Sequence, residues 1–460
     1  MRLFKRLDKK AIADLIYDDI HDLIYTNQYN LHLFDETDFN ALLRYIHAFI
    51  YLYYSTPEET NECMKLIHAI HERAKEYDIK ILPAAIWNKM YYYIDVENSE
   101  LHDVPNKSKN PEQHDRIERI NLVIKNNFAS FIPSLGLEKD ENQHADTPLE
   151  LLEKIHGKTH MESLRTTKKR AQPHPSDRGQ DTYISSGSYA CILETTTALS
   201  KICHTLIREQ NNHLEAPDPK TVFAAVRPPG HHAETNHAQG FCLVGNVAVL
   251  AYQLLAQGKK VLIIDIDAHH GNGTKQILDH LVNQPEHAHW HNQLYLLDLF
   301  AAENYASPEP SDPLTTKYLS DFVRLPTSTN GREYIKYLEE HLQKINDQHF
   351  SHDFLLVATG FDGAKDEGYC LELEPGDFKT ITALILSSTR RSAPKSQAMF
   401  VLEGGYDKNL AHCFKQCMDG ALTHSFKFRE DALLTKALTT VRSLKEESKI
   451  PQSSKKQRTE

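Results

Sequence analysis

Four short apolar runs in this chain each end abruptly in residues suited to catalysis. Residues 222–226 lead into Arg227-Pro228-Pro229-Gly230-His231-His232, and residues 261–264 into Asp265-Ile266-Asp267-Ala268-His269-His270-Gly271-Asn272. Residues 354–358 lead into Thr359-Gly360-Phe361-Asp362, and residues 399–402 into Glu403-Gly404-Gly405-Tyr406. Continuous β-branched or aliphatic runs of this kind are the pattern of strands buried on both faces of a parallel sheet. Between the first two, residues 243–257 read as a helix closed by Gly258, so strand, helix and strand make a right-handed βαβ unit. The fold class is α/β. Ligands bind beyond the carboxyl ends of the strands in such sheets, which predicts that all four polar clusters meet on one rim.

A chain of 460 residues has room for one large α/β domain with additions. Its net charge of −11 argues against nucleic-acid binding as the main function, because no basic excess exists to neutralise phosphates. Seven cysteines, an odd number, make no secreted disulfide framework, and Cys191, Cys203, Cys242, Cys413 and Cys417 read as small core residues. The basic start, residues 1–10, has no apolar segment behind it. The apolar stretch 41–54 is too short for a bilayer and holds Arg44 and His47, so neither a classical signal peptide nor a membrane span is expected.

Residues 1–85 read as an N-terminal helical region. Residues 11–25 and 38–54 have helical patterning, and Thr56-Pro57-Glu58-Glu59 opens a third helix with Cys63, Leu66, Ile67, Ile70 and Ala74 on one face. Residues 86–430 form the main domain, with a first strand at 90–96, a helix at 117–124, and irregular chain at 283–330 marked by Pro285, Pro308, Pro310 and Pro313. Residues 431–460 are a helix end and a polar tail expected to be disordered.

Asp267 and His269 stand two apart where a strand ends, and Asp362 ends another, so one imidazole and two carboxylates compose a divalent-cation site with positions left for water and substrate. The pair His231-His232 follows a rigid Pro-Pro-Gly turn and suits acid/base work. A carboxylate behind an imidazole fixes its tautomer and raises its basicity. Asp265 suits one ring in this way, and Asn272 can hold the other. His270 reads as packing or hydrogen bonding beneath the loop. Tyr406, after two glycines that permit an unusual turn, can donate its hydroxyl to an oxyanion.

Together RPPGHHA (227–233), GFC (240–242), Asn246, VLIIDIDAHHGNGT (261–274), GFD (360–362) and EGGY (403–406) resemble the histone deacetylase and acetylpolyamine amidohydrolase superfamily, closer to its class II and bacterial members. The resemblance covers roughly residues 90–428, and Asn110-Pro111-Glu112 with Arg116 and Arg119 looks like an altered form of the family's early motif. It implies a three-layer αβα arginase/deacetylase-like fold with a mainly parallel eight-stranded sheet and a narrow tube leading to zinc. By position, Asp267, His269 and Asp362 take the zinc-ligand places, and His232 that of the general base/acid with His231 as its partner. Asp265 backs His231, Asn272 backs His232, and Tyr406 takes the oxyanion-stabilising place. Phe241 falls on the tube's aromatic wall with Gly240 beside it, and Asp181 where some members grip the substrate backbone.

Asp298-Leu299-Phe300 replaces the family's Ser-(Ile/Leu)-His element, so the implied structural potassium site would lie near Asp265 and Asp298. The glycine-rich segment that usually follows is absent, which leaves Phe300 and Tyr305 as candidates for a second aromatic wall. The implied activity is zinc-dependent hydrolysis of N6-acetyl-lysine in proteins, histone tails among them, in the cytoplasm or, for histones, the nucleus. The alternatives are an acetylpolyamine deacetylase, a binuclear manganese enzyme of the arginase type, and a catalytically silent scaffold binding acyl-lysine or a partner. A protein partner is expected to use the N-terminal helices.

Overall fold

Each of the four apolar runs is a strand of one sheet in the computed structural model, which describes residues 21, 65–66, 69–70, 72–73, 90–102, 104, 110–128, 132, 134–135, 146–166, 172–173, 181–211, 220–303 and 314–427. In chain order the strands are β1 (Met90–Ile94), β2 (Thr221–Ala225), β3 (Val261–Asp265), β4 (Leu294–Ala301), β5 (Leu319–Leu325), β6 (Phe354–Thr359) and β7 (Gln397–Leu402). They lie in the order β1-β2-β7-β6-β3-β4-β5, and every pairing is parallel. The strands β2, β3, β4, β6 and β7 are buried along their whole length, which is why their sequences are continuous apolar runs. The eight strands implied by the resemblance are corrected to seven in the main sheet among the described residues.

The longer helices among the described residues are α1 (Asp115–Asn127), α2 (Pro148–Arg165), α3 (Ser188–Asn211), α4 (Asn246–Ala256), α5 (Asn272–Val282), α6 (Gly331–Asp347), α7 (Pro375–Ser392) and α8 (Leu410–Lys427). Reciprocal caps open α2 and α6, among others. Thr147 accepts from the Glu150 N–H while the Glu150 carboxylate accepts from the Thr147 N–H, with Pro148 at the first helical position, and Asn330 and Glu333 repeat the arrangement at α6. Strand alternation sorts the helices into layers. Val222 and Ala224, Val261 and Ile263, Leu294 and Leu296, Leu356 and Ala358, and Met399 and Val401 share one core with apolar residues of α2, α3, α4 and α5. On the other face Phe223 stacks on Phe400 at 4.8 Å and meets Phe414 of α8, which together with Phe378 of α7 closes on Phe361.

Two expectations are corrected. The helix read at 243–257 starts at Asn246, because α2 takes the preceding backbone groups: His160 Nε2 bonds the Leu243 carbonyl at 2.8 Å, and the Gly245 N–H donates to His156 Nε2 at 3.0 Å. The stretch 283–330, read as irregular, holds a 3-10 helix (Pro285–Asn292) and two sheet strands, β4 and β5. Asp298 interrupts the apolar run of β4 in sequence, yet the strand is wholly buried around it.

The chain divides into two compact units, Lys89–Ala421 and Met1–Asn88 with Leu422–Glu460. Of the expected N-terminal helices, residues 65–66, 69–70 and 72–73 are described and helical, with Leu66 and Ile70 buried. The helices at 11–25 and 38–54, apart from His21, and the tail after 427 lie outside the described residues. Among the described residues no helix is long and apolar enough to cross a membrane.

Candidate active site

The four strands that carry the polar clusters are immediate neighbours, β2-β7-β6-β3, so their carboxyl ends converge. Asp267, His269 and Asp362 are buried, and one ligand atom of each lies within 4.8 Å of the others. His269 Nδ1 is 3.0 Å from Asp267 Oδ1 and 2.9 Å from Asp362 Oδ2. The remaining carboxylate oxygens are fixed by backbone: Asp267 Oδ2 accepts from the Gly404 N–H and Asp362 Oδ1 from the Ala268 N–H, each at 2.9 Å. A Cβ at Gly360 would sit 2.1 Å from Asp267 Oδ2, and one at Gly404 would sit 2.4 Å from Asp362 Oδ2, so neither position tolerates a side chain. Burial opposes charge on His269, but Asp362 and Asp267 outweigh it and raise its pKa to about 10. Two buried carboxylates therefore attract positive charge to this point, and a nitrogen with two oxygens is a donor set that fits zinc.

The tandem histidines sit beside it, with ring centroids 4.0 Å apart and the His232 ring 5.7 Å from that of His269. His231 Nδ1 is 3.1 Å from Asp265 Oδ2, and His232 Nδ1 is 2.7 Å from Asn272 Oδ1. The Asn272 amide orientation follows from its neighbour, since its Nδ2 donates to Glu234 Oε1 at 2.9 Å and a carboxylate only accepts. His232 must then carry its proton on Nδ1 and keep the lone pair on Nε2. Burial disfavours charge on both rings. On His231, Asp267 and Asp265 overcome it and raise the pKa well above the ordinary value. On His232, burial joins the charges of His231 and His269 and drives it well below. One ring holds a proton and the other is neutral.

Tyr406 completes the rim. Gly405 adopts φ 109°, and the Tyr406 ring lies under the Arg116 guanidinium at 4.4 Å and edge-on to Phe241 at 5.3 Å. Burial raises the Tyr406 pKa well above the ordinary value, against the pull of Arg116, so the hydroxyl keeps its proton. Gly240 has φ 55°, and its absent Cβ leaves space occupied by the His232 ring, 2.4 Å away. Phe241, also left-handed at φ 66°, is held by its N–H to Thr182 Oγ1 at 2.9 Å. Asp181 precedes that threonine, and its backbone carbonyl accepts from Asn110 Nδ2.

Phe300 is wholly buried against His270 at 4.7 Å, which rules it out as a wall of an open tube, and Tyr305 lies outside the described residues. The aromatic ring at the site is instead Tyr369, 4.7 Å from His269 and edge-on. It stands between left-handed Gly368 and Cys370 (φ 81° and 64°). His270 does hydrogen-bond beneath the loop, its Nδ1 2.6 Å from Asp298 Oδ2. Asp298 faces Asp265 in the β3–β4 register, and its Oδ1 and the Tyr334 hydroxyl are buried with no hydrogen-bond partner. An orphaned buried carboxylate oxygen fits a cation such as potassium.

Behind the rim lies a buried ion network. Glu112 accepts from Arg227 Nε at 2.8 Å and Nη2 at 2.6 Å and from Arg116 Nη1 at 3.3 Å, while Arg116 Nε donates to the Gly405 carbonyl at 2.7 Å. Burial alone would raise the Glu112 carboxyl, but Arg227 holds it down to about 2. Burial also lowers His102 and His156 to about 3 and His352 to about 4. All four groups have folded pKa values below their unfolded ones, so the stability they contribute is lost as pH falls. Glu367 and Glu403, raised by burial to about 7, have the opposite sign but act between pH 4.5 and 7. Asp95, Asp265, Asp279 and Asp362, raised by burial from 3.8, also have the opposite sign but stop acting below that pH, so only loss remains there and the thermal midpoint is expected to fall steeply below pH 3.8. A flat profile there would contradict the burial of these groups.

Known proteins carry the same architecture. The family model of the histone deacetylase domain matches residues 110–421. Histone deacetylase 15 of Arabidopsis thaliana is 27% identical over 306 residues, covering 65% of this chain and 50% of that protein. Histone deacetylase HDA1 of Saccharomyces cerevisiae is 26% identical over 352 residues, covering 72% of this chain and 45% of that one. The chain thus spans about half the length of these curated relatives. The crystal structure of the HDA15 HD domain superposes with a TM-score of 0.56 at 22% identity, over 77% of this chain and 99% of that one. The acetylpolyamine aminohydrolase of Burkholderia pseudomallei does so at 0.54 and 16%, over 73% and 99%, which shows a shared fold. With a family model matching well over half of its length, the chain belongs to the histone deacetylase family.

Proposed function

We propose that the chain is a zinc-dependent deacetylase that hydrolyses the amide of N6-acetyl-lysine in proteins, histone tails among them. The observation that carries this reading is the convergence of Asp267, His269 and Asp362 on one buried point beside His232. The names of the curated relatives support it. Zinc held by those three residues would supply Lewis-acid chemistry, polarising the acetyl carbonyl and acidifying water.

The chain's own residues do the rest. His232, neutral and with the lone pair on Nε2 by tautomer, takes the proton of the attacking water while Asn272 holds Nδ1. Tyr406, protonated, donates to the oxyanion of the tetrahedral intermediate. The imidazolium that forms then returns a proton to the leaving lysine amine. His231, charged and backed by Asp265, stabilises the negative charge that gathers at the carboxylates. Phe241 packs along the acyl-lysine stem, and Asp181 grips the peptide backbone. A potassium ion at Asp265 and Asp298 would hold the β3–β4 strand ends in place. A protein partner would dock on the N-terminal helices.

The test is hydrolysis of an acetyl-lysine peptide panel, histone-tail sequences included, beside acetylated polyamines. Peptide turnover that a chelator abolishes and zinc restores is the expected result. Polyamine turnover alone would move the protein to the small-amine reaction, and a zinc-loaded chain inert on both would leave a binding role.

A further inference from the structure

The Tyr406 turn has no side-chain anchor before it, since Gly404 and Gly405 precede it and Gly405 is at φ 109°. Its backbone is gripped from outside. On the carbonyl side, Arg116 Nε donates to Gly405, and Arg119 donates to Tyr406 at 3.3 Å and to Asp407 at 2.6 Å. On the N–H side, beyond the Gly404 N–H held by Asp267, one oxygen serves two groups: Glu367 Oε1 accepts from the N–H of Tyr406 and of Asp407, both at 2.7 Å. The arginine bonds are charge-assisted, about twice as strong as neutral ones, and the Glu367 bonds become so once its carboxyl, raised by burial to about 7, has ionised.

Glu367 ends a short helical turn, Lys365–Glu367, in the loop that follows Asp362. The base of that loop is pinned, with the Lys365 N–H on the Leu373 carbonyl at 3.0 Å and the Leu373 N–H on the Gly363 carbonyl at 3.1 Å. The loop therefore joins one residue of the metal centre, Asp362, to the turn that aims the tyrosine.

We propose that Glu367 is a positioning residue for the Tyr406 hydroxyl, its carboxylate holding the turn so that the phenol meets the oxyanion. The proposal rests on the reading of Tyr406 as the oxyanion donor. A hydroxyl at the end of a long aromatic side chain magnifies any rotation of its backbone, and a misplacement of about 1 Å costs about 10²-fold in rate. Without the carboxylate, two successive N–H groups lose their acceptor, and the turn keeps its carbonyl-side contacts and the Gly404 N–H bond to Asp267 Oδ2.

The experiment measures kcat and KM on an acetyl-lysine peptide for wild type, Glu367→Ala, Glu367→Gln, Glu367→Asp, Tyr406→Phe and the Glu367→Ala/Tyr406→Phe double variant. Zinc content and thermal midpoint are read for each. Glu367→Ala is expected to lower kcat about 10- to 100-fold with KM within about twofold, as for a group displaced from its transition-state contact. Glu367→Gln, which keeps one oxygen able to accept both N–H groups, should recover kcat to within about threefold of wild type. In the Tyr406→Phe background the alanine change should cost less than about twofold, because there is no hydroxyl left to aim. Glu367→Asp keeps the charge but retracts the oxygens by one methylene; it guards against a folding failure of the alanine variant and should also lower kcat at unchanged KM.

An unimpaired kcat in the Ala and Asp variants beside a crippled Tyr406→Phe overturns the proposal alone. So does a full alanine penalty in the Tyr406→Phe background, or a glutamine variant no better than alanine. A fully active Tyr406→Phe overturns the oxyanion reading and the proposal with it.

Discussion

Tyr406→Phe is expected to lower kcat about 10²–10³-fold, the loss of one oxyanion donor or about 2.7–4 kcal/mol, while KM and bound zinc stay nearly constant. The substitution is clean because everything holding the ring survives it. The Arg116 guanidinium still caps the ring face at 4.4 Å, Phe241 still meets its edge, and the backbone N–H still reaches Glu367 at 2.7 Å. What goes is one O–H. Burial keeps that group protonated far above neutral pH, so in wild type it is a donor throughout the working range. Its loss should therefore appear in kcat with no new pH dependence. A loss below tenfold would remove Tyr406 from the oxyanion role and leave it a packing residue.

Glu112→Ala is expected to lower the unfolding free energy by about 3–5 kcal/mol, read by urea denaturation. Arg116 and Arg227 are both fully buried, and Glu112 is the carboxylate that pairs with both. Truncation leaves two guanidiniums in a low-dielectric interior without that counter-charge. The Glu112→Ala/Arg227→Met double variant should recover part of the loss, because a buried pair replaced by apolar side chains is close to neutral. A single-variant loss under about 1 kcal/mol would show that water or carbonyls suffice. The same substitution frees Arg116, whose Nε holds the Gly405 carbonyl, so activity should fall with stability.

Most of the candidate site's members are legible in the sequence. Asp267-Ala268-His269, His231-His232, Asp362 and Tyr406 each sit where a buried strand ends, and a strand end is a local event written in consecutive residues. The caps at Thr147 and Asn330 are local as well. What was not legible depends on pairings far apart in the chain. Glu367 and Tyr369 lie in a segment with loop composition, and their places at the rim follow from left-handed turns at Gly368 and Cys370. The strands β4 and β5 were hidden because Asp298 breaks the apolar run and prolines surround them.

The sequence by itself determined the chemistry available: one imidazole and two carboxylates for a metal, two histidines, and a tyrosine after glycines, all at the mouths of parallel strands. Local patterning and side-chain identity are enough for that. The tertiary structure alone decided which of these groups meet and in what state. The order β2-β7-β6-β3 joins residues up to about 180 positions apart, as with Thr221 and Ala398, and no local preference encodes such a contact. The two adjacent histidines differ in the same way. His231 lies against two carboxylates and His232 against an amide and two other imidazoles, so burial and neighbouring charge, not residue type, hold one ring protonated and the other neutral.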